Sequence, residues 1–355
     1  NDGSGKFGRI GQSLSFPYPV STGDFVIADM NNDERPDIVV GEGMKTNTYG
    51  LPGNCLVLWN SGNNNFVPAA IPAGQNLGLI EALSTADING DGWQDILLAG
   101  PFMPVTVLLN DQQEFATAKP EQTMRIAQSE GLWNTIEKAD LDGDGDEDFV
   151  LGNLGENNFF AEGLTIFIND FDQNGTIEQI CCQATSEGHF PIHDIDELYS
   201  QMPILKKKYR TYAEFSQAPL EVLLPEDKLK EALQLQLRER RSMILWNNGG
   251  QLALQPLPRM AQYSTIHAVL IRDFNEDGTP DLLLGGNDYK YKPQFGRQDA
   301  GKGCLCYGSK KGEDVIFADC YQQGLEGQIR ALEIINQNQI IVGINDGAIK
   351  VYEQH

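Results

Sequence analysis

Five times along the chain, an apolar run of strand-forming residues breaks into nine residues rich in aspartate, asparagine and glycine, then resumes as a second apolar run. The clearest copy is ALSTADINGDGWQDILLAGP from Ala82 to Pro101. The others are DFVIADMNNDERPDIVVGEG from Asp24, IEKADLDGDGDEDFVLGNLG from Ile136, TIFINDFDQNGTIEQICCQ from Thr165 and AVLIRDFNEDGTPDLLLGGN from Ala268. A unit of strand, tight turn and strand cannot bury both its faces alone, so a chain built of such units must stack them. Several copies are followed by a third run and a polar turn, as in Val57-Leu58-Trp59-Asn60-Ser61-Gly62 before Phe66 and Val107-Leu108-Leu109-Asn110-Asp111 before Phe115. Four strands per unit is the pattern of a β-propeller blade.

The acidic loops start at Asp29, Asp87, Asp140, Asp170 and Asp273, with spacings of 58, 53, 30 and 103 residues. The first two spacings fit about 50 residues per blade. The short spacing predicts a third unit without its outer hairpin. The long one predicts an insertion within the fourth unit, between Cys182 and the strand Met243 to Trp246. A sixth, degenerate unit reads as strands at 329–334, 339–343 and 348–352 with no acidic loop. The segment Asn1-Asp2-Gly3-Ser4-Gly5-Lys6-Phe7 resembles the turn and outer strand after Trp59. It is expected to complete the last blade and close the ring, which removes open sheet edges.

Within each loop, oxygen-bearing side chains stand at positions 1, 3, 5 and 9. They are Asp29, Asn31, Asp33 and Asp37; Asp87, Asn89, Asp91 and Asp95; Asp140, Asp142, Asp144 and Asp148; Asp170, Asp172, Asn174 and Glu178; and Asp273, Asn275, Asp277 and Asp281. Calcium takes six to eight hard oxygen ligands, and a tight turn of alternating carboxylates supplies most of them. The backbone carbonyl at position 7, in Arg35, Trp93, Asp146, Thr176 and Thr279, is expected to add another. Gly92, Gly145, Gly175 and Gly278 at position 6 permit the sharp bend, while the first loop has Glu34 there. An EF-hand requires a glutamate at position 12; this chain has Val40, Leu98, Leu151, Cys181 and Leu284. The plain alternative is a set of Asp/Asn/Gly turns that hold no metal.

A net charge of −24, from 50 acidic and 26 basic side chains, repels phosphate backbones, so nucleic acid is not an expected partner. No run of eighteen apolar residues is present, so no transmembrane segment is expected. The chain starts at Asn1 without a methionine or a charged-then-apolar leader, which suggests a removed signal or a fragment. The six cysteines, Cys55, Cys181, Cys182, Cys304, Cys306 and Cys320, have no zinc-knuckle spacing. Cys304 and Cys320 lie on one hairpin, either bonded or as buried free thiols.

The D-x-[DN]-x-D-G-x-x-D loops, followed by Asp95-Ile96-Leu97-Leu98 or Asp281-Leu282-Leu283-Leu284-Gly285, resemble the FG-GAP or VCBS-type repeat found in the integrin α-subunit propeller. From Gly152 onward the chain is also similar to bacterial surface proteins related to the cartilage-acidic-protein type. The resemblance implies a propeller, structural calcium at the blade loops, and a role in adhesion, surface assembly or ligand capture. Integrin propellers have seven blades and no helical insertion, where this chain counts six units.

The insertion at about 194–241 contains Pro225-Glu226-Asp227, then Leu229, Leu233 and Leu237, then Arg238, Arg240 and Arg241. Proline and acids first and bases last predict a helix along its dipole. It serves either as a buttress on the rim or as a docking arm with Lys206-Lys207-Lys208. Tyr289, Tyr291 and Lys292 follow a blade strand, where they either pack on the rim or hold a sugar or an acidic group.

His189, His193, His267 and His355 form no metal spacing, and there is no G-x-S-x-G elbow. The expected architecture is one all-β domain over 1–355, a β-propeller of six or seven four-stranded blades with calcium-binding inner-hairpin loops and one α-helical insertion. The expected function is that of a calcium-stabilised, extracytoplasmic binding or scaffolding protein, secreted or at the cell surface, with a protein or glycan partner and no catalysis. The alternative is a polysaccharide-active enzyme on the same scaffold.

Overall fold

The computed structural model describes residues 21–45, 48–63, 65–110, 123–160, 162–312, 314–336 and 338–353. The first sheet is β1 (Thr22–Ala28), β2 (Asp37–Glu42), β3 (Cys55–Asn60) and β4 (Phe66–Ala70). The second is β5 (Ala82–Ala86), β6 (Asp95–Ala99), β7 (Thr106–Leu108) and β8 (Thr123–Arg125). The third begins with β9 (Thr135–Ala139) and β10 (Asp148–Gly152), after which the chain leaves it. It builds a separate sheet from β11 (Leu164–Asn169), β12 (Glu178–Thr185) and β13 (Gly188–Pro191), followed by five short helices. These are α1 (Ile195–Gln201), α2 (Leu205–Lys208), α3 (Tyr212–Ser216), α4 (Leu220–Leu223) and α5 (Glu226–Glu231). Strand β14 (Leu233–Gln236) completes this inserted sheet, and β15 (Met243–Asn248) and β16 (Gln251–Pro256) return to complete the third. A fourth sheet follows as β17 (Ile266–Arg272), β18 (Asp281–Gly286), β19 (Cys304–Lys311) and β20 (Asp314–Gln322). The terminal sheet has three strands, β21 (Gln328–Asn336), β22 (Gln339–Asn345) and β23 (Lys350–Glu353). All pairings are antiparallel.

The second strands of the first four sheets in series, which read as continuously apolar, are covered on both faces, whereas β1 leaves Phe25 and Ile27 exposed. In β6 every residue is buried, and because alternate side chains point to opposite faces, Ile96 and Leu98 pack with Val39 and Val57 of the first sheet. Leu97 and Ala99 face the other way, onto Phe149 and Leu151 of the third. Val150 then meets Leu282 and Leu284 of the fourth, and Leu283 and Leu305 meet Ile329, Leu332 and Val342 of the terminal sheet. The first strands of these five sheets touch in the same succession, β1 to β5, β5 to β9, β9 to β17 and β17 to β21. Two glycines allow neighbouring chains to cross closely: a Cβ at Gly100 would lie 1.7 Å from the Leu79 carbonyl oxygen, and one at Gly286 1.7 Å from that of Thr265. Closure by the N-terminal segment falls outside the described residues.

Three expectations are corrected here. The third unit does possess its outer hairpin, β15–β16. What separates the hairpin from β10 is the whole inserted sheet with the fourth acidic loop, so the insertion lies inside the third unit and not the fourth. The helix expected to run from Pro225 to the arginines stops at Glu231, and Leu233–Gln236 is a strand on β11. The disulfide joins Cys306 to Cys320, leaving Cys304 free, because Cys306 is the residue directly opposite Cys320 in the β19–β20 ladder.

One face of the inserted sheet, with Phe167, Ile180 and Cys182, packs against the helices through Ile195, Leu198, Met202, Phe215 and Leu220. The other face, with Leu164, Ile166 and Ile168, lies on Phe102, Leu51 and Leu132 from the loops of the first two sheets. No helix of the described residues is long and apolar enough to cross a membrane.

Candidate metal centre in the acidic loops

Each acidic loop of the main series joins the first strand of a sheet to the second, so the four loops at 29–37, 87–95, 140–148 and 273–281 share one end of the stack. The inserted sheet departs from the connection between β10 and β15, at the opposite end. Its own loop, 170–178, links β11 to β12.

The loops fold by one hydrogen-bond scheme. The position-1 carboxylate accepts backbone N–H groups across the turn: Asp87 from Asp91 at 3.0 Å and Gly92 at 2.7 Å, and Asp273 from Asp277 at 3.1 Å and Gly278 at 2.8 Å. Asp170 accepts from Asn174 and Gly175 at 3.0 and 2.9 Å, and Asp140 from Gly143 and Gly145 at 2.7 and 3.1 Å. Position 5 accepts from position 7, as in Asp91 from Trp93 at 3.0 Å and Asp144 from Asp146 at 2.9 Å. Side-chain acceptors that bond their own backbone a few residues on explain why Asp and Asn dominate here.

Position 9 ties the loop to the strands beneath it. Asp37, Asp95, Asp148, Glu178 and Asp281 are all buried. In the four series loops this carboxylate brackets two elements. Asp95 accepts from Ile88 at 3.0 Å and from Asn110 at 2.8 Å, and Asp148 from Leu141 at 3.0 Å and Asn247 at 2.9 Å. Asp37 does the same with Met30 and Asn60, and Asp281 with Phe274 and Gly308. Burial pushes the Asp95 carboxyl up to about 6 and that of Asp148 up to about 7, against the lowering effect of these backbone bonds. Burial likewise raises Asp37, Glu178 and Asp281. A nearby cation would favour the charged form and relieve this cost.

The asparagine at or just past the end of the third strand was visible in the sequence, but its role was not. Asn110 Nδ2 donates to the Met30 carbonyl at 2.9 Å, and Asn247 Nδ2 to that of Ile88 at 3.1 Å, so each of these sheets is tied to the acidic loop of the sheet before it. The signal was its recurrence as Asn60, Asn110 and Asn247.

Carboxylate oxygens of Asp140, Asp142 and Asp148 come within 4.8 Å of one another, as do those of Asp170, Asp172 and Glu178. Oxygen-only clusters at the mouth of a tight turn suit a hard divalent cation. Asp172 Oδ1 is buried with no hydrogen-bond partner, an orphaned acceptor that fits such a cation. In the other three loops position 3 is asparagine, a neutral oxygen donor. The first loop also differs in kind. Glu34 holds φ 65° where its counterparts are glycines, and the Arg35 guanidinium contacts the Asp33 carboxylate while Arg35 Nε donates to the Asn60 carbonyl at 2.8 Å.

The structure places Tyr291 and Lys292 at the junction with the insertion, whereas Tyr289 donates its backbone N–H to Gln328 of the terminal sheet at 3.0 Å. Tyr291 packs edge-on to Phe160 with ring centroids 5.7 Å apart, and Lys292 pairs with Glu197 of α1. Tyr289 lies under Arg297, whose guanidinium carbon is 3.6 Å from the ring centroid.

Residues 87–151, which hold the second and third acidic loops, match the family model of the FG-GAP-like repeat. No curated protein sequence matches the chain. Among solved structures, the chain is similar to the V. cholerae biofilm matrix protein Bap1, with 15% identity and a TM-score of 0.29, over 86% of this chain and 40% of that one. The chain thus spans less than half the length of that protein.

Proposed function

We propose that this chain is a calcium-stabilised β-propeller that works outside the cytoplasm as an adhesion or scaffolding protein, binding a protein or glycan rather than turning one over. The observation that carries the reading is the convergence of three carboxylates in each of two loops, one of them with an orphaned acceptor. Unpaired carboxylates held this close repel, and a structural divalent ion would offset that repulsion. In this reading the five sheets in series are blades, with the insertion seated on the face away from the metal loops. The FG-GAP-like match supports the repeat. The Cys306–Cys320 disulfide supports an oxidising compartment. Loops of this kind bind calcium at about 10⁻⁴ to 10⁻³ M in extracellular modules, a range met outside cells.

The test is calcium counted per chain after equilibrium dialysis, alongside thermal unfolding in millimolar calcium and in excess chelator. Several bound ions and a higher Tm in calcium are expected. No bound ion and superimposed unfolding curves would reduce the loops to Asx turns and sink the metal.

A further inference from the structure

Strand β14 is one of the two edges of the inserted sheet, opposite β13, and pairs with β11 alone. Leu237 N–H donates to the Leu164 carbonyl at 2.8 Å, and the register continues as Thr165 opposite Gln236, Ile166 opposite Leu235 and Phe167 opposite Gln234. Opposed residues in an antiparallel ladder alternate between exchanging both backbone bonds and exchanging none. Leu233, Leu235 and Leu237 therefore bond to β11, while the N–H and C=O groups of Gln234 and Gln236 point away from it. Among the described residues neither glutamine has another backbone partner. Open edges in soluble proteins are commonly guarded by lysine, proline or a bulge; β14 reads Leu-Gln-Leu-Gln, with none of these.

All four residues of β14 line a groove of about 610 Å³ whose far wall comes from loops of the first two sheets, including Leu77 and Met103. Arg125 and Arg238 also line it. Arg238 Nε stands 3.4 Å from Glu130 Oε2, and Arg125 has no ion pair among the described residues. Two guanidinium groups thus face one carboxylate in a chain of net charge −24. A groove with that local excess selects an acidic ligand.

We propose that this groove docks an extended, acidic peptide segment of a partner protein, which adds as a strand to β14. Its backbone bonds to Gln234 and Gln236, and a carboxylate meets Arg125 or Arg238. Outward N–H and C=O groups recurring every second residue match the period of another β-strand; a glycan offers hydroxyls without that period. The inference rests on the binding role proposed above but not on the metal, so a chain without calcium sites would leave it standing.

The experiment selects random dodecapeptides displayed on phage against the intact chain, with counter-selection on a Gln236→Pro variant. Proline there removes an outward N–H and leaves the β14–β11 ladder intact. Enriched peptides should combine alternating apolar residues with Asp or Glu. A synthetic peptide so chosen should lose at least tenfold in affinity, read by fluorescence anisotropy, against Gln236→Pro and against Arg125→Glu, with Tm unchanged in both. If Gln236→Pro lowers Tm, N-methylation of the peptide at alternate amides replaces it, and should cost the same tenfold on one alternation only. Failure to enrich any motif, or equal binding to the proline variant or of every N-methylated peptide, overturns the proposal. So does polygalacturonate binding that depends on Arg125 but not on the edge, since the groove would then be a glycan site.

Discussion

The loops at 29–37 and 170–178 follow the same grammar and make the same position-1 bonds, Asp29 to the Asp33 and Glu34 amides and Asp170 to those of Asn174 and Gly175. They differ in where positive charge comes from. The first carries its own cation, since Arg35 lies against Asp33. The other gathers Asp170, Asp172 and Glu178 with no basic side chain in the loop and leaves an Asp172 oxygen without a partner. One turn thus meets a cation from the protein itself, and its counterpart keeps an acceptor that no protein group satisfies.

The comparison breaks if the loops respond alike to calcium. The largest effect expected is from calcium withdrawal on the molecule as a whole. Each occupied site contributes about 1.4 kcal/mol when free calcium is tenfold above Kd, so calorimetry in chelator should lower Tm by several degrees, and titration should return four ions rather than five. Next is Asp148→Ala, which strands the buried Leu141 and Asn247 amides; about 2–5 kcal/mol should be lost, with one ion fewer. Asp148→Asn sharpens the point. The two carboxylate oxygens of Asp148 accept from different backbone amides, Oδ2 from Leu141 and Oδ1 from Asn247, so the Asn side chain leaves one of them facing a donor; about 1–3 kcal/mol should be lost in chelator and more in calcium, as read by urea unfolding in both buffers. Smaller again is Arg35→Ala. It breaks a partly exposed pair worth about 0–1 kcal/mol, and the loss should be the same with and without calcium, whereas Asp172→Ala should matter only when calcium is present. The smallest change is Glu34→Gly. It relieves a left-handed side chain but adds freedom to the unfolded chain, so a net gain of only about 0.3 kcal/mol is expected, equal in calcium and in chelator.

Much of the loop chemistry was legible because it depends on residue identity at fixed intervals: positions 1, 3, 5 and 9 are what fold the turn. The partners of position 9 were not, since Asn110 and Asn247 reach it only once three strands are aligned. The place of the fourth unit was hidden for a similar reason. A hairpin such as Met243–Pro256 looks the same whether it completes the sheet before it or one begun far upstream. For the false helix the evidence was present but outweighed. Leu229, Leu233 and Leu237 have helical spacing, yet Leu233-Gln234-Leu235-Gln236-Leu237 alternates with the period of a strand. The disulfide turned on register alone: Cys304 and Cys306 sit on the same face of β19, and only Cys306 lies opposite Cys320.

The excursion between β10 and β15 also sets a timetable. Leu151 pairs with Met243, so when β10 leaves the ribosome its partner is still roughly 90 residues from being made, some 5–18 s at ordinary elongation rates of about 5–20 residues per second. For that interval the third sheet stands as an unfinished hairpin with an unclaimed edge, while the inserted sheet is translated and gathers its helices. Nascent chains halted just before Met243 should then be the most adhesive to one another, and those released past Pro256 the least.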